Sequence, residues 1–177
     1  SHLLKAEGNE ACYQCHKKEV YEKKVVHKAV QTKGCTTCHF SHSSDQKDLL
    51  VKAETPLCLS CHDSGKPPFT KAHGNYPVNQ ARCSGCHNPH SSSQVKLLKT
   101  SVHNPVAETQ CDACHRPPSD PKPFGTAEAG SKLCYNCHDA STLRAGGKMD
   151  HAPFKEGMCE SCHQPHASEY PKLFQKK

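Results

Sequence analysis

The sequence predicts a chain of mostly irregular coil with short α-helices and little or no β-sheet. Two observations lead to this expectation. Mean hydropathy is −0.80 and hydrophobic residues, cysteines included, make up only 34% of the 177 residues, which is thin for one apolar core. Breakers such as "KPPF" and "RPPSDPKPF" recur, and they exclude long regular elements. Something other than aliphatic side chains must hold the chain together.

The cysteines supply that component. All 14 fall into seven Cys-x-x-Cys-His motifs, with none left over. Cysteines at i and i+3 lie on one side of a helical turn, so both sulfurs can bond the vinyl groups of one porphyrin while the following histidine ligates iron. The motifs therefore predict seven c-type haems. The predicted thioether residues are Cys12, Cys15, Cys35, Cys38, Cys58, Cys61, Cys83, Cys86, Cys111, Cys114, Cys134, Cys137, Cys159 and Cys162.

Three other uses of cysteine are weaker explanations. Disulfides do not require a histidine after every second cysteine. A thioredoxin-type motif occurs once in a βαβ context and not seven times in a polar chain. Structural zinc is the serious alternative because paired Cys-x-x-Cys units make zinc sites, but those sites do not need the histidine each time. The predicted proximal iron ligands are His16, His39, His62, His87, His115, His138 and His163.

Seven haems change the expected fold and charge of the molecule. One haem for about every 25 residues makes the fold a thin wrapping of coil and short helices around a stacked haem chain, whose porphyrins supply the apolar area. Fourteen propionates turn the formal charge of +6 into roughly −8. This argues against a nucleic-acid partner. No stretch approaches the ~18 apolar residues of a transmembrane segment.

The chain reads as one continuous heptahaem unit, 1–177, built from repeats. The segments are about 1–22, 23–68, 69–100, 101–148 and 149–177. A leucine recurs seven residues after a histidine, and the pair "HLLKAEGNEAC" and "DLLVKAETPLC" align. Pro118 interrupts the pattern where a trailing histidine is expected, and no motif follows "KLLKTSV" directly. The chain starts in the second half of a repeat, as a processed chain or a fragment would.

Seven further histidines recur in register with the motifs, either about eight residues before a motif or three residues after it. Their number equals the number of distal ligands that seven bis-histidine haems need. Met149 and Met158 are not expected to be ligands. His2 lies out of register and is left open as a ligand. The predicted distal ligands are His27, His42, His73, His90, His103, His151 and His166.

With these motifs the sequence resembles the multihaem c-type cytochromes that have doubled CxxCH motifs. "GCTTCHFSH", "RCSGCHNPH" and "MCESCHQPH" carry the resemblance. It implies haems stacked in alternating parallel and T-shaped pairs, bis-histidine ligation and long-range electron transfer. Several relatives are extracellular, and some polymerise into conductive filaments. Haem attachment in this family occurs outside the cytoplasm, so the resemblance also implies export.

The register suggests a pairing of ligands with haems. His42 lies too close to His39 to cross the porphyrin, so it is expected to ligate the haem of Cys58 and Cys61. His27 is then expected on the haem of Cys35 and Cys38.

His166 has no later haem in the chain. It is therefore expected on the Cys12 and Cys15 haem of a neighbouring subunit, a head-to-tail contact that gives a filament. The alternatives are a fragment, or His2 serving the first haem.

The functional prediction is electron transfer rather than catalysis, since closed bis-histidine irons leave no site for a substrate. We expect a polymerising conduit, extracellular or at the cell surface, with redox proteins or extracellular acceptors as partners. A periplasmic carrier or a subunit of a multihaem complex is the alternative, and a multihaem reductase is a weaker one.

Overall fold

A computed structural model of the protein describes residues 5–144 and 147–177. It is mostly coil with short helices and two two-stranded sheets, which confirms the predicted fold class. His2 lies outside the described residues. The α-helices are α1 (Asn9–Cys12), α2 (Lys18–Tyr21), α3 (Lys28–Thr32), α4 (Glu54–Leu59), α5 (Pro67–Ala72), α6 (Asn104–Ala107), α7 (Ser131–Tyr135), α8 (Ala140–Leu143) and α9 (Ala152–Lys155).

Single 3₁₀ turns separate the α-helices, as expected for a chain punctuated by glycine, proline and motif residues. Four of them begin at the first cysteine of a motif. The 3₁₀ turns are Cys35–Thr37, Lys47–Leu49, Val78–Gln80, Cys83–Gly85, Val95–Leu97, Cys111–Ala113, Cys159–Ser161 and Pro171–Leu173.

The described chain forms two compact units. Of the described residues, unit 1 comprises 5–69 and 78–100, and unit 2 comprises 70–77, 101–144 and 147–177. Each is closed by one antiparallel strand pair. The strands are β1 (Val25–Val26) and β2 (Ser91–Ser92) in unit 1, and β3 (Ser101–Val102) and β4 (Ala167–Ser168) in unit 2.

The two units repeat each other in register. Val25 pairs with Ser92 in unit 1, and Ser101 pairs with Ser168 in unit 2. Both partners are shifted by 76 positions between the units. The repeat explains why strands of only two residues recur in the same place.

Four loops, which we call modules, share one local structure. Each runs for 16 residues from the first cysteine of a 3₁₀ motif to the residue that forms a β-bridge with the motif histidine. The bridges join His39 to Leu50 in module 1 and His163 to Phe174 in module 4. The modules are residues 35–50, 83–98, 111–126 and 159–174.

Little of the polypeptide is buried by itself. Among the described residues the only buried hydrophobic side chains are Tyr76 and Ala167, and the other buried residues are Ser91, Ser92, Pro123 and Ser168. This agrees with the thin apolar content of the sequence. No helix in the described parts of the chain is long and apolar enough to cross a membrane.

Candidate haem sites

All seven motifs form the helical turn that their spacing predicts. In each, the backbone N–H of the histidine donates to the carbonyl of the first cysteine, at 2.9 to 3.0 Å. Four motifs form 3₁₀ turns that open the modules, and three lie at the ends of α1, α4 and α7. The closed turn holds both cysteines and the histidine on one side of the backbone, which is the arrangement that covalent haem attachment needs.

The motif histidines of the modules are held by backbone carbonyls nine residues later. His39 Nδ1 lies 2.8 Å from Asp48 O, and the same contact recurs at 2.9 to 3.0 Å in the other three modules. A carbonyl accepts only, so Nδ1 carries the proton and Nε2 keeps its lone pair. That tautomer and ring orientation are the ones that an iron-binding histidine requires.

A left-handed turn directs these carbonyls at the imidazoles. Asp48, Lys96 and Lys172 have φ of 54 to 57°, and the leucine after each is also left-handed. Left-handed backbone is costly for residues with side chains, so it persists where surrounding contacts demand it. Module 3 differs, because Phe124 supplies the carbonyl there and Gly125 takes the leucine position.

Distal histidines face motif histidines in both units. In unit 1 the rings of His39 and His90 lie 5.8 Å apart at 20°, and those of His27 and His62 lie 6.0 Å apart at 20°. These four residues include two motif histidines and two histidines that the register predicts as distal ligands. Each pair supplies the two axial nitrogens that one haem iron takes.

Unit 2 repeats the two pairs. The rings of His115 and His166 lie 5.7 Å apart at 26°, and those of His103 and His138 lie 5.9 Å apart at 16°. The Nε2 atoms of His115 and His166 point at each other across 3.4 Å. Two nitrogen donors that converge from opposite sides, with the Nδ1 atom of His115 held by Phe124 O, are the donor set for a bis-histidine haem. The residues present therefore fit the group that the motifs imply.

The distal ring orientation is also fixed by backbone carbonyls. His27 Nδ1 lies 2.9 Å from Pro89 O, and His103 Nδ1 lies 3.0 Å from Pro165 O. The carbonyl acceptor again assigns the proton to Nδ1 and leaves Nε2 for iron.

The pairing expected from the sequence is wrong in unit 1. His27 faces His62 and not the haem of Cys35 and Cys38, and His90 takes that place opposite His39. The reason is the β1–β2 pair, which brings residues before module 1 onto the loop of module 2. His42 therefore does not reach the haem of Cys58 and Cys61.

The position expected for His166 is also wrong. We expected it to reach a neighbouring subunit, but it faces His115 of its own unit. The β3–β4 pair carries it there, just as the equivalent pair positions His90.

The remaining predicted ligands have other surroundings. Tyr21 Oη lies 3.2 Å from His16 Nδ1. His73 follows α5 and belongs to unit 2. His42 and His151 are both exposed, and neither has a ring contact with any residue in the described ranges.

The first cysteines of successive motifs lie close together. Burial and a hydrogen bond to Cys12 raise the pKa of Cys35, and burial together with Cys83 raises the pKa of Cys58 to about 12. Cys134 has the same relation to Cys159. Before attachment these thiols stay protonated near neutral pH. After attachment they anchor neighbouring haems at adjacent points of the backbone.

Burial acts on two of the distal imidazoles as well. It lowers the pKa of His90 and of His166, and the nearby imidazoles His39 and His115 lower it further. The neutral form is the one that offers a lone pair to iron. In the residues described, no group of three or more His, Cys, Asp or Glu is arranged to hold a metal ion. The imidazoles meet in pairs.

Sequence reasoning missed the groups that hold the imidazoles. Asp48, Lys96, Phe124 and Lys172 act through their carbonyls, which no residue type reveals. The recurring leucine in modules 1, 2 and 4 was the only available signal, because it marks the left-handed turn. Tyr21 carried no signal in the motif pattern.

The comparison with known proteins agrees with this geometry. The family model described as "Doubled CXXCH motif" matches residues 27–67, 75–102, 103–142 and 151–177. Three of these segments begin at His27, His103 and His151, the histidines that cap short helices before a module. No curated protein matches the chain. Because the matched segments cover more than half of its length, the chain belongs to the doubled CXXCH motif family and is a multihaem c-type cytochrome.

Proposed function

We propose that the protein conducts electrons along seven c-type haems, each held between two histidines, and that it is not an enzyme. A c-type haem supplies a one-electron iron couple that the polypeptide itself lacks. The observation that carries the proposal is the convergence of His115 and His166 Nε2 atoms at 3.4 Å. An iron with a histidine on each axial position can exchange electrons but has no free position for a substrate.

The spacing of the attachment points supports transfer along the chain. Within unit 1 the thiol of Cys12 contacts that of Cys35, and Cys58 contacts Cys83. Burial and the nearby Cys61 raise the pKa of the Cys38 thiol. Haems anchored at these sulfurs are neighbours in sequence order, so an electron has a next acceptor at each step.

We further propose an exported protein that acts outside the cytoplasm as a polymerising subunit, extracellular or at the cell surface. The family match supports a haem protein matured outside the cytoplasm. His42 and His151 are exposed and have no ring contact in the described ranges, and this supports assembly. The proposed partners are redox proteins or extracellular acceptors.

Spin-state spectroscopy tests the proposal. In the assembled protein we expect only low-spin, six-coordinate haems by electron paramagnetic resonance and absorption, and no spectral change with small ligands such as cyanide or nitrite. His90→Ala should make one haem, that of Cys35 and Cys38, high-spin. His90→Met is the matched control, because it keeps six coordination and raises the potential of the same haem. A wild-type assembly that contains a ligand-accessible high-spin haem would point to the reductase instead.

A further inference from the structure

Each unit is closed by the same contact between two segments, which we call the arm and the edge. The arm is a strand that ends in a histidine, residues 25–27 in unit 1 and 101–103 in unit 2. The edge is the start of a module loop, residues 90–92 and 166–168. The arm before one module thus lies on the edge of the next module.

The arm histidine binds the edge by two hydrogen bonds. His27 N–H donates to His90 O at 2.8 Å, and its Nδ1 lies 2.9 Å from Pro89 O. In unit 2, His103 makes the same two contacts, at 2.9 and 3.0 Å. The contact is therefore built twice from the same atoms.

The two residues that follow the edge histidine are buried beneath the arm. Ser91 and Ala167, which follow the edge histidines, are both 0% exposed. A docked arm is what removes this part of the loop from solvent.

Docking also places two imidazoles. The edge histidine His90 faces His39, the motif histidine that follows the arm. The arm histidine His27 faces His62, the motif histidine that lies between the two modules. In unit 2, His166 and His103 make the corresponding pairs.

Module 1 has a third edge, residues 42–44, with no arm on it. His42 and Ser43 are exposed, whereas Ser91 at the position equivalent to Ser43 is fully buried. No hydrogen bond, ion pair or ring contact joins His42 to another residue in the described parts of the chain. A cavity of about 350 Å³ lies along this edge. Its lining residues are Phe40, Ser43, Ser44, Asp45, Gln46 and Val51.

Module 4 has a third arm, residues 149–151, with no edge under it. His151 caps α9 with φ −63° and ψ 130°, close to the −61° and 127° of His27. Met149 is 91% exposed. Within the described ranges, the N–H and imidazole of His151 have no partner.

In the middle of the chain, the arm position and the following edge position carry no histidine. Asn75 stands at the arm position before module 2, and Pro118 stands at the edge position of module 3, with no motif between these modules. In unit 2, Tyr76 Oη still donates to Arg116 O at 2.8 Å, so this arm also meets the following module. The arm histidine, which would serve a haem between the two modules, is replaced where that haem is absent. The haem of Cys83 and Cys86, which an edge histidine at position 118 would serve, has His73 as its predicted distal ligand instead. At the ends of the chain His42, His151 and the Cys12 motif are all present.

We propose that the arm 149–151 of one copy docks on the edge 42–44 of a second copy, and that the two copies exchange iron ligands. By the register of both units, His151 ligates the haem of Cys12 and Cys15 in the second copy, opposite its His16. His42 of the second copy ligates the haem of Cys159 and Cys162 in the first, opposite its His163. The inference rests on the proposed haem function and gives its assembly two specific contacts.

The contact joins two different surfaces. A second copy that has received an arm still offers its own arm to a third copy. Such a heterologous contact propagates head to tail unless a rotation closes it into a ring. Two coordinate bonds at each contact continue the order of haems from one copy to the next.

Paired variants test the exchange. His42→Ala and His151→Ala each remove one coordinate bond from every contact, so we expect smaller assemblies in analytical ultracentrifugation and one or two low-spin haems lost from each chain. In an equimolar mixture, the contact from a His42→Ala copy to a His151→Ala copy is complete and the reverse contact has neither bond. The mixture should therefore form discrete pairs and regain low-spin haem.

His166→Ala is the control, because it should make the haem of Cys111 and Cys114 high-spin without changing the assembly size. If His166→Ala has this effect but His42→Ala and His151→Ala keep the wild-type spin state and size, the exchange is refuted and the proposed function stands. If none of the three changes the spin state, the proposed function fails too. Wild-type protein that stays fully low-spin when diluted to monomers also overturns the exchange, since the ligands would then come from one chain.

Discussion

At the scale of single residues, the protein controls its imidazoles through the nitrogen that does not bind iron. Module histidines have a carbonyl at Nδ1, as His39 has that of Asp48. His16 lies in α1's motif, outside the modules, and has the phenol of Tyr21 at 3.2 Å instead. When Nε2 binds iron, Nδ1 keeps its proton, so the phenol oxygen accepts that hydrogen bond. We therefore expect Tyr21 to tune the potential of the first haem.

The Tyr21 ring also touches a second haem ligand. It lies 5.8 Å from His16 and 5.0 Å from His90, edge-on to both. The position 76 residues later is Leu97, which has no aromatic ring, so the repeat does not carry this ring contact over to His166. Tyr21 is thus a positioning residue between the haem of Cys12 and that of Cys35.

Tyr21→Phe should raise the potential of one haem by on the order of tens of millivolts. The variant keeps the ring contacts but removes the acceptor at His16 Nδ1, which makes the imidazole less electron-rich and favours ferrous iron. Potentiometry monitored by electron paramagnetic resonance resolves the change. Tyr13→Phe is the control, because Tyr13 Oη donates to Glu22 and not to a histidine. Equal behaviour of the two variants would contradict the assignment.

At the scale of elements, strands of only two residues determine the tertiary contacts that longer elements determine in other proteins. The β1–β2 pair fixes which histidine meets which motif, since it places His90 next to His39. The side chain of Ser91 in β2 also stabilises the β1–β2 pair by hydrogen bonds to the residues before β1. Its hydroxyl accepts from Lys23 N–H at 3.0 Å and donates to Val20 O at 3.4 Å.

Ser91→Ala should lower the free energy of unfolding by about 1 to 3 kcal/mol. The backbone N–H of Lys23 loses its acceptor at a site that excludes water, and an unsatisfied donor costs that much. Denaturant unfolding followed by the haem absorption band measures the change. Ser43→Ala, measured in protein diluted to monomers, is the matched control from module 1, where the equivalent serine is exposed, and it should stay within about 0.5 kcal/mol of wild type. A similar loss in both variants would show that the hydrogen bonds of Ser91 are not the cause.

At the scale of the whole molecule, the haems are expected to supply the apolar core that the polypeptide lacks and to reverse the sign of its net charge. Only Tyr76 and Ala167 are buried hydrophobic residues in the described ranges. Porphyrin surface therefore has to supply the apolar contacts of folding. The polypeptide alone has a formal charge of +6 and an isoelectric point near 8.6.

The charge predicts a measurable difference between the two forms of the protein. With ferrous iron each haem adds only its two propionates, so seven haems change +6 by −14 to about −8. Isoelectric focusing of the reduced holoprotein should therefore give an acidic isoelectric point, while the apoprotein focuses near 8.6. The iron-to-protein ratio should be seven. A holoprotein that stays basic, or a lower ratio, would show that some motifs carry no haem.

Much of the fold class and of the proximal site was predictable because it is local. The Cys-x-x-Cys-His turn spans five residues, and its hydrogen bond from His39 N–H to Cys35 O forms wherever the spacing occurs. Coil and short helices follow from glycine, proline and low apolar content. The pairing of distal ligands was not predictable in this way. His115 and His166 are 51 positions apart, and loops of that length do not select a partner by sequence distance.

The sequence by itself determined the chemistry of this protein: seven motifs, their thioether cysteines and proximal histidines, and a chain too polar to fold without its haems. Those properties depend on neighbouring residues within one turn. The tertiary structure alone decided which second histidine meets each motif. Two short strand pairs set that choice, bringing His27 to His62 and His90 to His39 against the expected order. They also left His42 and His151 exposed, because neither residue lies next to one of these two strand pairs.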